Sequence, residues 1–167
     1  FNIELMSSNK DKSFIAIDVS NQVLRLTSSS LTRDYLISTS KKGVGQENNS
    51  GKTPLGKHYI YKKIGQHMPV NSVFFGRRFN SQIYNEALGD ICTDWILTRI
   101  LWLAGAEEGI NSGGKVDTKN RYIYIHGTPY EEQLGKPVSS GCIRMSNQDI
   151  IELFNHVQIK TQVNIIA

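Results

Sequence analysis

The chain has 167 residues, 39% of them hydrophobic and 20% charged, a length and balance typical of a globular domain that buries a core of its own. We therefore expect one domain over residues 1–167. Its net charge of +4 is spread over separate basic pairs (Lys41-Lys42, Lys62-Lys63 and Arg77-Arg78), which argues against a nucleic-acid-binding stripe. No apolar run approaches the ~20 residues of a membrane-spanning helix, and no signal peptide or anchor is visible.

Short alternating runs between turn residues dominate the first half of the chain. Examples are Val23–Leu26, Asp34–Ser38 and His58–Lys62, which are linked by loops rich in Ser, Asn and Gly. Regular short strands of this kind predict a mainly β domain, sandwich- or barrel-like, with a few short helices. Residues 64–94 carry no clear pattern, and an irregular segment of that length would suit a cap over a functional site.

Two ligand motifs are rejected on their spacing. Ser50–Thr53 resembles the end of a phosphate-binding loop, but the position that requires glycine holds Gln46, and Pro54 follows where a helix should begin. The histidines lack the paired spacings of zinc sites: they are His58, His67, His126 and His156. The sequence therefore predicts neither a nucleotide site nor a metal site.

A histidine and a cysteine in the second half supply the groups needed for nucleophilic acyl transfer. Arg121–Ile125 is β-branched and aromatic, so it predicts a strand, with His126 at its end and Gly127 allowing a turn. Cys142 follows on a second turn, and a cysteine needs a nearby base to become a thiolate. A lone cysteine is more often an inert core residue, and a lone histidine is more often structural. Small polar neighbours make Cys142 a poor core residue, which favours the functional interpretation.

A helix is predicted shortly after the cysteine-bearing turn. Ser146 is a candidate N-cap, and Asp149 can complete the capping box. Apolar residues then recur at helical spacing along Ile150–Val157. Cys142 would therefore lie between a strand end and a capped helix.

The residues around the cysteine offer partners for a reacting carbonyl group. A glycine-containing turn can direct successive N–H groups at one point, so Ser140, Gly141 and Cys142 are the oxyanion-hole candidates. Arg144 adds positive charge that would favour a thiolate or bind a substrate carboxylate. The other cysteine, Cys92, is expected to be an unpaired, buried small side chain.

The stretches Tyr122–Pro129 and Ser140–Met145 together resemble the signature of the L,D-transpeptidase catalytic domain, the YkuD-type family of peptidoglycan enzymes. Further segments are similar to the family's strands and turns in the same order, so the resemblance covers nearly the whole chain. These segments are Phe14–Val19, Gln22–Leu26, Tyr35–Thr39, Thr53–Gly56, Ile96–Leu103, Gly113–Thr118 and Thr161–Ile166.

The resemblance implies roles for individual residues. Cys142 would be the nucleophile and His126 its general base, with the amides around Gly141 and Cys142 as the oxyanion hole. Many members have histidine where this chain has Ser140, so His126 is the imidazole expected to act. A backbone carbonyl near Ser139 is expected to orient it. Contacts with substrate are expected from Ser139, Gly127, Thr128 and Arg144.

The resemblance also implies a reaction. Cys142 would attack the carbonyl that joins diaminopimelate to the terminal D-Ala of a peptidoglycan tetrapeptide stem. D-Ala would leave, and the thioester would pass its acyl group to an amine of a second stem, forming a 3-3 cross-link. The implied partners are peptidoglycan stem peptides, without any cofactor, in the cell envelope and by expectation the periplasm. Water as acceptor would make the enzyme an L,D-carboxypeptidase, and a silent domain that only binds peptidoglycan is the non-enzymatic alternative.

Overall fold

The computed structural model describes residues 12–89 and 94–167, which contain ten β-strands and one α-helix. The strands are β1 (Phe14–Asp18), β2 (Val23–Thr27), β3 (Thr32–Ser38), β4 (Gly56–Ile64), β5 (Ser72–Phe75), β6 (Arg78–Ile83), β7 (Leu97–Gly105), β8 (Tyr124–Gly127), β9 (Ile143–Met145) and β10 (Gln162–Ile166). The helix, α1, spans Asn147–His156, and short 3₁₀ turns cover Glu86–Leu88, Gly114–Val116 and Glu131–Gln133. The mainly β fold predicted from the sequence is confirmed.

Eight of these strands close into a ring. Their order is β4-β10-β1-β2-β3-β9-β8-β7, and β7 pairs with β4 to complete it. Two pairs, β1 with β10 and β8 with β9, are parallel, whereas the other neighbours in the ring are antiparallel. The sheet is therefore barrel-like rather than a sandwich. The remaining strands, β5 and β6, form a hairpin outside the ring that joins β7 through the pair Val73–Leu97.

The core lies on the inner side of this ring. Buried residues alternate with more exposed ones along the strands, as Ile15 and Ile17 do in β1, because successive side chains of a strand point to opposite faces. The apolar stripe of α1, which includes Leu153 and Phe154, belongs to the same cluster as these inward residues. The inner face therefore serves packing, which leaves the outer face of the strands for other contacts.

Side chains satisfy both ends of α1. At its start, the Ser146 hydroxyl accepts a hydrogen bond from the N–H of Asp149 at 3.1 Å, so the predicted N-cap is confirmed. At its end, the Lys63 ammonium donates to the carbonyls of Phe154 (2.6 Å) and Val157 (2.7 Å). A cation at this position also complements the helix dipole. In the described part of the chain, no helix has the length and apolar character needed to span a membrane.

The described part of residues 64–94 is more regular than the sequence indicated. β5 and β6 pair Phe74 with Phe79 and Phe75 with Arg78. The two residues between the strands, Gly76 and Arg77, have positive φ angles of 52° and 67°, as the tightest hairpin turns require. The prediction of an irregular segment is therefore wrong for this stretch. The hairpin was not recognised from the sequence because its turn is Gly-Arg rather than the more familiar Asn-Gly pair. Cys92, for which a buried position was expected, lies outside the described residues.

Candidate active site

Strand pairing places Cys142 and His126 on one face of the sheet. β8 and β9 run parallel, with Ile125 opposite Ile143 and both side chains in the inner core. The residues on either side of this pair, including His126 and Cys142, therefore point to the outer face. His126 lies in β8 and Cys142 immediately before β9, so the two residues are offset by two positions along the strand direction. Their backbones are therefore about 8 Å apart, a distance that two side chains can span.

Two backbone groups, one at the start of β8 and one just before it, bracket the Cys142 thiol. The N–H of Tyr124 donates to Sγ at 3.3 Å, and the thiol donates to the carbonyl of Tyr122 at 3.4 Å. Apolar residues of the outer face, including Phe74 and Ile100, pack around the same group. Burial raises the pKa of the Cys142 thiol to about 12, so the group is a neutral thiol at pH 7.

His126 is held in one tautomer by its own neighbour. The residue is 1% exposed, and its Nδ1 lies 2.8 Å from the carbonyl oxygen of Gly127. Because a carbonyl only accepts, Nδ1 carries the proton and Nε2 presents a lone pair. The expectation that a carbonyl near Ser139 orients the ring is wrong, since Gly127 supplies that carbonyl. Burial lowers the pKa of His126 to about 4, so the ring is neutral at pH 7 and able to accept a proton.

The turn that carries Cys142 is fixed by Ser139. The buried Ser139 hydroxyl donates to the carbonyl of Cys142 at 2.6 Å and accepts from the N–H of Gly141 at 3.2 Å. Gly141 itself has φ +133°, a conformation that favours glycine. The N–H groups of Ser140 and Cys142 donate to no described residue. Of the three oxyanion-hole candidates, these two N–H groups are the ones left available.

Thr53 supports the same turn from a distant part of the chain. Its buried hydroxyl donates to the carbonyl of Gly141 at 3.0 Å and accepts from the N–H of Ser40 at 3.0 Å. The Arg121 guanidinium donates to the carbonyls of Gly45, Gln46 and Lys52, which holds the loop before Thr53 against the start of β8. The run that was rejected as a phosphate-binding loop is thus scaffolding for the Cys142 turn. The sequence indicated Thr53 only as a turn residue.

Gly127 and Thr128 hold the end of β8 against α1. Gly127 lies within the strand, and a Cβ there would collide with Asn147 Oδ1 and lie 2.8 Å from the Leu97 carbonyl, so close approach rather than a turn requires glycine. Thr128 is buried, and its carbonyl accepts from Asn147 Nδ2 at 2.8 Å. These contacts are structural, and substrate binding by either residue stays a prediction.

Arg144 is a buried arginine that forms an ion pair with a half-exposed aspartate. Its Nη2 lies 2.7 Å from Asp94 Oδ1, with the arginine side chain 6% exposed and the aspartate 50% exposed. In β9 it stands opposite His126, and its charge contributes to the lowered pKa of that histidine. The sequence did not reveal Asp94 as its partner, because the two residues are distant in the chain. Binding of a substrate carboxylate by Arg144 stays a prediction.

The β5–β6 hairpin, Ser72–Ile83, lies over the outer face and is called the covering hairpin below. Phe74 packs in the cluster that includes Cys142 and Tyr124. From the turn of the hairpin, the Arg77 guanidinium lies 4.7 Å from the centre of the Tyr122 ring and donates to Tyr124 Oη at 3.1 Å. The described part of residues 64–94 thus lies where a cap was expected.

A cavity of about 450 Å³ opens beside Cys142. Two residues near the thiol contribute to the wall of this cavity. The Tyr122 carbonyl accepts a hydrogen bond from the thiol, and Ser140 precedes Cys142 in the same turn. The full lining is Asn48, Asn49, Gly51, Asn120, Arg121, Tyr122, Ile123 and Ser140. A cavity of this volume is large enough for a few residues of a peptide.

Comparison with known proteins shows the family to which the chain belongs. The family model of the L,D-transpeptidase catalytic domain, YkuD, matches residues 12–165. The chain therefore belongs to the L,D-transpeptidase catalytic domain family.

Individual relatives match either over a short stretch at about 50% identity or over most of the chain at low identity. The Bacillus subtilis protein YqjB is 48% identical over 46 residues, or 28% of this chain and 26% of its own length. The Bacillus subtilis protein YkuD is 54% identical over 41 residues, 25% of each chain. The matches thus span about a quarter of these relatives. The structure of L,D-transpeptidase 3 from Mycobacterium tuberculosis, in complex with a faropenem-derived adduct, has a TM-score of 0.59 and 14% identity, covering 94% of this chain and 61% of the other. That likeness concerns the fold alone.

Proposed function

We propose that the protein is a peptidoglycan L,D-transpeptidase that uses Cys142 as its nucleophile. Membership of the family supports the reaction class. The observation that carries the assignment is the pairing of a thiol and a fixed imidazole: Cys142 and His126 share one face of β8–β9, and the Gly127 carbonyl leaves the Nε2 lone pair of His126 available. The cell envelope is the compartment in which such a substrate occurs, and we propose it for this protein.

The first half-reaction begins from a neutral pair. When the carbonyl between diaminopimelate and D-Ala reaches Cys142, Sγ forms a bond to the carbonyl carbon while His126 Nε2 takes the thiol proton. The N–H groups of Ser140 and Cys142 bind the resulting oxyanion. The C–N bond to D-Ala then breaks, the proton passes from His126 to the leaving amine, and a thioester remains on Cys142.

The second half-reaction reverses these steps with a new amine. An amine of a second stem attacks the thioester carbonyl and gives its proton to His126, and the same N–H groups hold the second oxyanion. The C–S bond breaks, and the sulfur recovers a proton from His126. The cross-link is formed and Cys142 is again a thiol.

The raised pKa of Cys142 and the lowered pKa of His126 are compatible with this order of reaction steps. With the thiol at about 12 and the imidazole at about 4, a resting ion pair is unfavourable, so proton transfer accompanies attack on a bound carbonyl. A thiol that is neutral between turnovers is also protected from other electrophiles, since the thiolate is the reactive form.

Product analysis tests the proposal. The protein is incubated with purified disaccharide-tetrapeptide, with and without an amine acceptor, and the products are separated by mass. A cross-linked dimer, absent with Cys142→Ala, is the expected result. Tripeptide without dimer would replace the transpeptidase with an L,D-carboxypeptidase. No product from folded protein would contradict both and leave a peptidoglycan-binding domain.

A further inference from the structure

A groove beside the covering hairpin gathers cationic side chains. It has a volume of about 690 Å³ and lies between the end of β4 and the turn of the hairpin. We call it the basic groove. Its lining contains no acidic residue and consists of Lys62, Lys63, Ile64, Gly65, Gln66, Gly76, Arg77, Arg78 and Trp102.

The charges in the basic groove are largely uncompensated. Lys62 and Arg78 are exposed, and neither forms an ion pair or a side-chain hydrogen bond with a described residue. Lys63 differs, because its ammonium donates to the carbonyls at the end of α1. Like charges around one concave surface repel each other, and a bound anion would remove that cost.

Arg77 is held in place ready for a ligand. Its guanidinium lies 4.9 Å from the centre of the Trp102 ring and 4.7 Å from that of Tyr122. It donates to Tyr124 Oη at 3.1 Å, which uses one of the five N–H donors that a guanidinium carries. These contacts restrict the motion of the group, so less side-chain entropy is lost when it binds a carboxylate.

The basic groove adjoins the residues that bracket the nucleophile. Arg77 contacts Tyr122 and Tyr124 through their side chains. The backbone groups of the same two residues hydrogen-bond the Cys142 sulfur. The basic groove and the Cys142 sulfur therefore share two neighbours, Tyr122 and Tyr124, through their side chains and their backbone respectively.

We propose that the basic groove binds carboxylates of a peptidoglycan stem peptide outside the reacting bond, with Arg77, which contacts Tyr122 and Tyr124, as a substrate-recognition residue. The inference rests on the proposed function, because that function makes an anionic peptide the substrate. It assigns to the covering hairpin a direct part in substrate selection: the turn that carries Arg77 and Arg78 recognises negative charge. Affinity for the polymer should then fall as salt rises.

A binding experiment separates this inference from turnover. Cys142→Ala protein is mixed with insoluble peptidoglycan from which phosphate-containing polymers have been removed, and the free protein is measured at several salt concentrations. The same measurement is made with Lys62→Glu and Arg78→Glu combined. The matched control combines Lys57→Glu and Lys160→Glu, which change the net charge equally but line a cavity of about 510 Å³ elsewhere on the sheet.

The groove variant should bind about tenfold more weakly than the parent, since exposed ion pairs contribute up to ~1 kcal/mol each. The control variant should bind within about twofold of the parent. Amidation of the carboxylates in the polymer should reduce the parent's affinity to that of the groove variant. Urea unfolding of each variant establishes that the folded protein is being compared.

Three results would overturn the inference. Equal weakening by both double variants would mean that net charge alone governs binding. Unchanged binding to amidated polymer would exclude carboxylates, and binding that requires the phosphate polymers would assign the groove to phosphate. Failure of the proposed function would be detected separately in the product analysis, as the absence of cross-linked product from the unsubstituted protein.

Discussion

Two buried histidines, His58 and His126, have similarly lowered pKa values but differ in their hydrogen bonds. Both are almost fully buried, and burial lowers the pKa of each to about 4. His58 uses both ring nitrogens, with Nδ1 2.9 Å from the Gly56 carbonyl and Nε2 2.9 Å from Thr118 Oγ1. His126 bonds only through Nδ1, and no described residue bonds its Nε2.

The difference teaches that a lowered pKa does not by itself identify a catalytic histidine. In His58 the Gly56 carbonyl fixes the proton on Nδ1, and the Thr118 hydroxyl then donates to the Nε2 lone pair, so no proton-accepting capacity is left. In His126 the same arrangement at Nδ1 leaves the Nε2 lone pair available on the face that carries Cys142. The proposal that His126 is the base therefore depends on its available lone pair and its position beside Cys142, and not on its burial.

The largest expected effect comes from exchanging each histidine for glutamine. His126→Gln should reduce D-Ala release by roughly 10²- to 10⁴-fold, the usual contribution of a general base. His58→Gln should leave the activity of the folded fraction within a few-fold of the parent. Rates are measured with the tetrapeptide substrate and normalised to folded protein. Equal losses from both substitutions would remove the distinction between the two sites.

Acid should destabilise the protein through both histidines. Each has a folded-state pKa of about 4 against an ordinary 6.5, so the unfolded chain binds more protons between these values. The stability is fully present above pH 6.5 and is lost as the pH falls toward 4, by at most about 3 kcal/mol per histidine. Urea unfolding at stepped pH measures this slope. His58→Gln should remove about half of it, and an unchanged slope in that variant would contradict the assignment.

Thr118→Val makes His58 resemble His126 by removing the partner of its Nε2. A buried acceptor without a donor costs about 1–3 kcal/mol, so the free energy of unfolding should fall by that amount while the activity of the folded protein is retained. Thr32→Val, at an exposed position of β3, is the control and should change stability little. No loss in Thr118→Val would mean that the hydroxyl does not occupy the lone pair of His58.

The smallest expected effect concerns the alkylation rate of Cys142. Because burial raises the pKa of its thiol, labelling by a small neutral reagent should be slow at pH 7 and increase steadily above pH 9. His126→Gln should slow the neutral-pH reaction a few-fold, whereas His58→Gln should not. Peptide mass spectrometry separates Cys142 from Cys92. A fast reaction at pH 7 that levels off would instead indicate a resting thiolate.

Local sequence signals predicted much of the fold. The run His58–Lys62 lies inside β4, and Ser146 caps α1 as its spacing indicated. These features depend on residues a few positions apart, where strand alternation and capping act directly. The sequence also marked the proposed catalytic pair locally, because Cys142 and His126 each stand beside a glycine at the end of a strand or turn.

Contacts between distant segments were not predictable in the same way. Thr53 supports Gly141 across 88 positions, and Asp94 pairs with Arg144 across 50. Both contacts exist only after the ring of strands has closed, and a single sequence carries no signal for that closure. The basic pairs illustrate the same point: Lys62-Lys63 and Arg77-Arg78 are separate in the chain, yet they line one groove.

Intact-protein mass spectrometry after brief mixing with the tetrapeptide stem tests the central claim most directly. We expect an adduct on Cys142 whose mass equals the stem without its terminal D-Ala, with one D-Ala released per adduct. The adduct should be absent from Cys142→Ala and should disappear when an amine acceptor is added. Release of D-Ala without an adduct at Cys142, or an adduct on another residue, would contradict the account.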